Sequence, residues 1–335
     1  MLVKELVSLN APSGFEDEVR NFIKSNISAD EIYTDTIGNL ICRKKGIGKK
    51  IMVCAHMDEV GLLITEITEN GFLRFDTLGG IETAVLGSKK VLIGKDRIPG
   101  IIGTKAIHLQ KKSEVTTPFE KKDLYIDIGA KDKEAAKKLV SVGDFAVFDG
   151  EYTLFGNNKV KAKALDDRVG CAILMKLLND NFESDIYFVF SVQEEVGLRG
   201  AQIAAYNINP DLAIVIDGTT CNDIHASSPH TKVTTMGGGA VMTAVDRSAI
   251  SDKDFFDFIK KLADKENIKL QIKRTTAGGT DAGAIQRSNF GVKTAVLAVP
   301  CKYIHSPISV MDNNDFESVY KLTKSILENI ERSGL

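Results

Sequence analysis

Two histidines and six carboxylates, spread over short polar segments, are the residues of this chain best suited to chemistry: His56 and Asp58 in CAHMDEVG, Asp166 and Asp167 in KALDDRVG, Glu194 and Glu195 in SVQEEVG, Asp217 in IVIDG, and His305 in YIHSP. Carboxylate oxygen and neutral imidazole are donors for a hard-to-borderline divalent cation. Two cations ~3.5–4 Å apart need a shared carboxylate to offset their repulsion, and water between them is acidified toward neutral pH. A further carboxylate must take the water's proton and return it to a leaving group. The inventory supplies one bridge, a histidine and a carboxylate for each metal, and an adjacent glutamate pair in which one ligates while its neighbour serves as base. Taken alone, Asp166 and Asp167 could merely open a helix, where carboxylates favour the positive end of the dipole. The joint pattern points instead to a hydrolase that activates water between two metals.

Most of these segments follow an apolar run, namely IMVCA, IYFVFSV, LAIVI or TAVLAV, which reads as a buried strand. The polar groups then stand at strand carboxyl ends, where an open α/β sheet binds its ligands. Ser13 and Glu16 have the spacing of a capping box and would open a helix over EDEVRNFIKSNI. IGNLICRKK and KIMVCAHMD read as a hairpin joined through GIGK. From about Leu62 to Asn158 short alternating runs are broken by glycine and proline, a β-rich stretch with one helical segment, KDKEAAKKLV. Helix DDRVGCAILMKLLND, strand DIYFVFSVQE, helix RGAQIAAYNI and strand DLAIVIDG follow. Ser251 and Asp254 mark the start of another helix, and Phe316, Val319, Thr323, Ile326, Leu327 and Ile330 form one stripe of a last. The β-rich stretch separates Asp58 from Asp166 without adding a cluster of its own. It is therefore read as a domain, 63–157, inserted into a catalytic domain formed by 1–62 and 158–335.

The 335 residues suggest two domains, and a net charge of −2 gives no basic field for nucleic acid. No apolar run approaches the ~18 residues of a membrane span. Five cysteines, odd in number and without C-x-x-C spacing, read as free thiols of a reducing compartment, so a cytoplasmic location is expected. Cys54 reads as a small buried residue under the site. His108, His225 and His230 are assigned to exposed loops, Asp281 to an N-cap, and Gly278 and Gly279 to close approach of a peptide backbone.

Together, AHMDEVG at His56, FDTLGG, ALDDRVG, QEEVGLRGA, VIDG, AGGTDAGAI at Ala277 and YIHSP resemble the M42 metallo-aminopeptidases, peptidases of tetrahedral assembly, through nearly the whole chain. The resemblance implies a phosphorylase/hydrolase-like α/β catalytic domain with an inserted PDZ-like β-domain, and a homo-oligomer that is a dodecamer built from dimers. It implies two divalent ions per subunit, zinc or cobalt, with manganese suited to the same donors. Asp166 would bridge, His56 with Asp217 would hold one metal, and Glu195 with His305 the other. Glu194 would be the general base that serves peptide substrates, and Asp58 would orient His56. The segment TTCNDIHASSPHTKV after Asp217, with Cys301 before Lys302, departs from the pattern near the expected substrate pocket. A deacylase or carboxypeptidase with the same metals is the nearest alternative. A glycosidase would have no use for the two histidines, and the chain has no tryptophan to stack sugar rings.

Overall fold

The computed structural model describes residues 2–110, 119–225 and 227–335; residues 111–118 of the β-rich stretch and Ala226 lie outside the described residues. Strands are numbered along the chain: β1 Glu31–Thr34, β2 Leu40–Lys44, β3 Lys50–His56, β4 Gly61–Ile67, β5 Leu73–Leu78, β6 Lys90–Ile93, β7 Ile98–Gly103, β8 Tyr125–Asp127 and β9 Phe145–Phe148. They continue as β10 Thr153–Phe155, β11 Lys159–Ala162, β12 Asp185–Ser191, β13 Leu212–Thr220, β14 Ala240–Thr243, β15 Leu270–Ile272, β16 Lys293–Lys302 and β17 Ser309–Asp312.

Among the described residues, an 11-stranded sheet runs β1-β2-β12-β3-β13-β16-β17-β11-β10, with β14 and β15 branching from β16. Its centre, β12-β3-β13-β16, is parallel. Strands buried on both faces need unbroken apolar runs, and IMVCA provides one. Ile51, Val53 and Ala55 join the core under the Leu165–Leu177 and Asn313–Asn329 helices. The alternate residues Met52 and Cys54 pack with Ala201, Ala204 and Ala205 of the Arg199–Ile208 helix. The carboxyl ends of β3 and β12 are thus held level by two helical layers, with Ser191 opposite His56 in register.

The hairpin expected between residues 40 and 56 does not form. β12 inserts between β2 and β3, antiparallel to the first and parallel to the second. Apolar runs mark strands but not their partners, and a strand nearly as apolar, beginning only at Asp185, takes the place between them. Strands β4-β5-β8-β7-β6-β9 close into a barrel around its own core of Leu62, Ile64, Leu73, Val91, Ile102, Ile126 and neighbours. The barrel strands run from Gly61 to Phe148, while β10 pairs with β11 in the large sheet. No helix among the described residues is long and apolar enough to cross a membrane.

Candidate metal centre

His56 ends β3 and is 3% exposed. Its Nδ1 lies 3.1 Å from the Asp58 carbonyl oxygen and 3.4 Å from Asp58 Oδ1. That leaves Nε2 facing Asp166 Oδ1 at 3.3 Å and Asp217 Oδ1 at 3.6 Å. The other oxygen of Asp166, Oδ2, lies 3.5 Å from His305 Nε2, which is also 3.5 Å from Glu195 Oε2. His305 is turned by its Nδ1, 2.9 Å from the Gly80 carbonyl oxygen on the segment after β5. Two triads result, His56–Asp166–Asp217 and Asp166–Glu195–His305, with the ligand atoms of each within 4.8 Å of one another. Asp166 belongs to both.

The backbone makes this convergence possible at identifiable places. Gly218 follows Asp217 on β13, and a Cβ there would stand 3.0 Å from the Asp166 Cβ, so a larger residue would push the two carboxylates apart. Asp167 turns away from the triads: its Oδ1 accepts from Gly170 N–H at 2.9 Å and its Oδ2 from His56 N–H at 3.3 Å. A Cβ on Gly170 would fall 2.3 Å from that same carboxylate, which fixes glycine at the helix start.

Asp58 is fully buried beneath the triads and acts as a hub. Its Oδ1 accepts from Glu194 N–H at 3.0 Å, and its Oδ2 from Glu195 N–H at 3.2 Å and Ser13 Oγ at 2.6 Å. Both glutamates of the SVQEEVG turn are therefore aimed by one carboxylate. Ser13 and Glu16 do not cap a helix as their spacing suggested. Glu16 precedes the Asp17–Ser25 helix without a side-chain cap bond and accepts instead from Gly14 and Gln193 N–H. Asp281 likewise makes no cap bond; 1% exposed, it accepts from Ser191 Oγ at 2.5 Å and contacts Cys54 Sγ at 3.6 Å. The cap at 251–254 falls on Asp252, which accepts from Phe255 N–H.

Electrostatically the cluster holds more buried negative charge than its histidines offset. Burial, together with the neighbouring Asp166, pushes Asp217 up to about 7. Burial pushes Glu195 up to about 8 and drives Glu194 well above the usual range, with Asp281, Asp217 and Glu195 adding to the latter. Asp166 shares the burial, but His305 and His56 hold it well below the usual range. His305 is raised to about 9 because Asp166 and Glu195 outweigh its desolvation. Among the described residues no lysine or arginine pairs with Asp166, Glu194, Glu195 or Asp217. Buried carboxylates require such a partner, and a donor set of oxygen and imidazole fits divalent cations.

Above the triads opens a cleft of about 990 Å³, into which Glu194, Glu195, Asp166, Asp217, His56 and His305 all face. Thr219, Thr220 and Val233, at the two ends of the segment TTCNDIHASSPHTKV, line it; Cys221 and Cys301 are buried, and Lys302 pairs with Asp223 at 2.8 Å. His108, His225 and His230 are exposed and outside the cleft lining. Sequence reading missed Glu59, Lys163 and Arg168, a buried ion cluster that braces both ligand-bearing segments. The side-by-side position of Asp58 and Glu59 was its only signal.

The chain is similar along almost its whole length to known aminopeptidases. A putative aminopeptidase of Acetivibrio thermocellus is 39% identical over 96% of this chain and 96% of its own length. The lysyl aminopeptidase of Pyrococcus furiosus is 31% identical over 98% of this chain and 97% of its own length. The solved structure of the Pyrococcus horikoshii TET1 peptidase, which can assemble into a tetrahedron or a large octahedral shell, superposes with a TM-score of 0.88, at 37% identity over 97% of this chain and 98% of that one. The family model described as M42 glutamyl aminopeptidase matches residues 38–322, and the chain accordingly belongs to the M42 peptidase family, hydrolases that act on peptide bonds.

Proposed function

We propose that the protein is an aminopeptidase working with two divalent cations, one held by His56, Asp166 and Asp217 and the other by Asp166, Glu195 and His305. The observation that carries the reading is the two-sided presentation of Asp166, one oxygen toward each histidine. Bound there, the cations would supply Lewis acidity toward the scissile carbonyl and acidify water for attack. Glu194 lies beside both triads, faces the cleft and, among the described residues, pairs with no lysine or arginine. Its carboxylate is the group that accepts the proton of the attacking water and delivers it to the departing amine. Asp58 does not line the cleft; it keeps His56 turned and the Glu194–Glu195 backbone in place.

The names of the family and of its relatives include both acidic and basic N-terminal residues, so kinship leaves side-chain preference open. The closed barrel is proposed as an inserted domain of the PDZ-like kind that carries subunit contacts in a dodecamer built from dimers, supported by the assembly of the Pyrococcus horikoshii relative. Five free, buried thiols favour a cytoplasmic site of action. The test compares aminoacyl-anilides with N-acyl amino acids on protein reloaded with zinc, cobalt or manganese. Cleavage of anilides alone is expected. Turnover confined to N-acyl amino acids would establish a deacylase instead.

A further inference from the structure

We propose that Gly79 and Gly80, the last two residues of the FDTLGG segment, are positioning residues of the metal centre. Through them the barrel seats His305 and Glu195, and one of the two cations is held only as well as that seat is kept. The inference rests on the two-cation reading and deepens it.

The path of the chain brings the barrel to the triads. β3 ends at His56, and β4 opens the barrel at Gly61. Gly61 pairs with Leu78, the last residue of β5, so the residues leaving β5 emerge beside those that lead from the site into the barrel. Gly79 accordingly lies against Val60 and Glu195. Its φ is +85°, a conformation that residues with a side chain rarely adopt. A Cβ there would stand 2.9 Å from Val60 Cγ1, 3.2 Å from Glu195 Cβ and 3.3 Å from Glu195 Oε2. Barrel backbone thus packs on a ligand carboxylate at a distance that leaves no room for a side chain.

The next residue acts on the other ligand. The Gly80 carbonyl oxygen, 2.9 Å from His305 Nδ1, can only accept, so Nδ1 carries the hydrogen and Nε2 is left as the donor for a cation. The two histidines differ in how much they need such help. His56 ends a central strand, its side chain 3% exposed and its Nδ1 held by Asp58. His305 lies in the turn between β16 and β17, at φ +55°, with its side chain 38% exposed. Among the described residues its ring has one partner besides the carboxylates of Asp166 and Glu195, and that partner is Gly80. No such bond joins a described barrel residue to the side chain of His56 or Asp217. The barrel therefore serves one triad and not the other.

Chelated protein would be titrated with cobalt(II), followed by visible absorption and by elemental analysis after dialysis. The native protein should hold two ions per subunit. Gly79→Ala should weaken one of them by about tenfold to a hundredfold, the usual effect of disturbing a group that orients a metal ligand, and leave the other unchanged. Gly79→Asn, whose side chain tolerates a positive φ better but brings the same Cβ, carries the test if the alanine variant does not fold. Gly71→Ala strains the same barrel away from the site, at φ +83° with a Cβ 2.7 Å from the Ala130 carbonyl oxygen. It should lower the thermal midpoint without moving either affinity. Added to His305→Ala, which should itself leave one ion, Gly79→Ala should remove no more. Two unchanged affinities in the Gly79 variants, equal losses at both sites, or a Gly71→Ala effect of the same size would overturn the assignment while leaving the two-cation reading intact. A native protein that binds fewer than two ions would overturn that reading and this inference with it.

Discussion

Removing the Glu59 carboxylate should destabilise the protein by about 3–5 kcal/mol, the range for breaking a buried ion pair from one side. Glu59 is 2% exposed and lies between Lys163, 3% exposed, and Arg168, fully buried. Its Oε1 accepts from Lys163 Nζ at 2.7 Å, Arg168 Nη2 at 2.9 Å and Ala11 N–H at 3.1 Å, and its Oε2 from Lys163 at 2.7 Å. Glu59→Ala therefore leaves two buried cations without their counter-charge. The carbonyls of Leu9, Leu6 and Met57 remain as acceptors but carry no full charge. The chain's escape is to release the Lys163 proton, since burial and Arg168 already lower that lysine from its ordinary 10.5. At pH 7 that release costs at most roughly 5 kcal/mol, from about 1.4 kcal/mol per pH unit below an ordinary lysine.

The sign of the pH dependence follows from the same release. With Lys163 neutral when folded and charged when unfolded, the unfolded chain binds the extra proton, so stability rises with pH toward the ordinary lysine value. The deficit of Glu59→Gln relative to the native protein should shrink between pH 7 and pH 9, by up to about 1.4 kcal/mol per unit. Adding Lys163→Met should recover part of it by removing one of the two cations. Urea midpoints at fixed metal and protein concentration would measure both effects. A Glu59→Ala midpoint equal to the native one, or a Glu59→Gln deficit identical at the two pH values, would refute the reasoning.

The other predictions concern the centre itself. Glu194→Gln should retain both metals by elemental analysis while kcat falls by about 10²–10⁴; near-native turnover would place the base elsewhere. Asp166→Ala should lose metal occupancy, because it removes the one carboxylate common to both triads; full loading of that variant would refute the bridging role. In chelated protein Glu195 and Asp217, pushed to about 8 and about 7 from ordinary values of 4.5 and 3.8, hold protons that the unfolded chain has released. Chelated stability should then fall as pH rises from about 4 to about 8, and the Tm gap between loaded and chelated forms should widen from pH 5 to pH 8. A gap independent of pH would contradict this.

What could be read in the sequence follows a physical division. His56, Glu194, Glu195 and Asp217 stand at or just beyond apolar runs, and such a run fixes where its strand lies, so the polar residues could be assigned to one sheet edge before any contact was known. Asp217 departs slightly: it is inside β13 rather than at its end, because the strand continues through Gly218 to Thr220. Strand partnership was not legible. That β12 separates β2 from β3 depends on tertiary competition, to which a local pattern is blind. Cap signals were misread for a related reason. A serine or aspartate near a helix start can satisfy a backbone N–H nearby or a polar group far off, and Ser13 and Asp281 bond to Asp58 and Ser191, 45 and 90 residues away.

The ion cluster was the least legible feature, and its placement explains how the fold holds a centre so rich in like charge. Lys163 and Arg168 flank the Asp166–Asp167 turn, Glu59 follows Asp58, and the Arg168 guanidinium also donates to the Met57 carbonyl. The segments bearing His56 and Asp166 are thus joined on their inner side by opposite charges, while their outer sides present carboxylates that repel. Without a cation at the triads, that repulsion must be borne by the inner clamp and by protons on Glu195 and Asp217. With cations bound, attraction acts on both sides of the turn. The clamp therefore pre-organises the carboxylates at a separation that metal ions can use, which is why its loss should be felt first as lost stability and then as weakened metal binding.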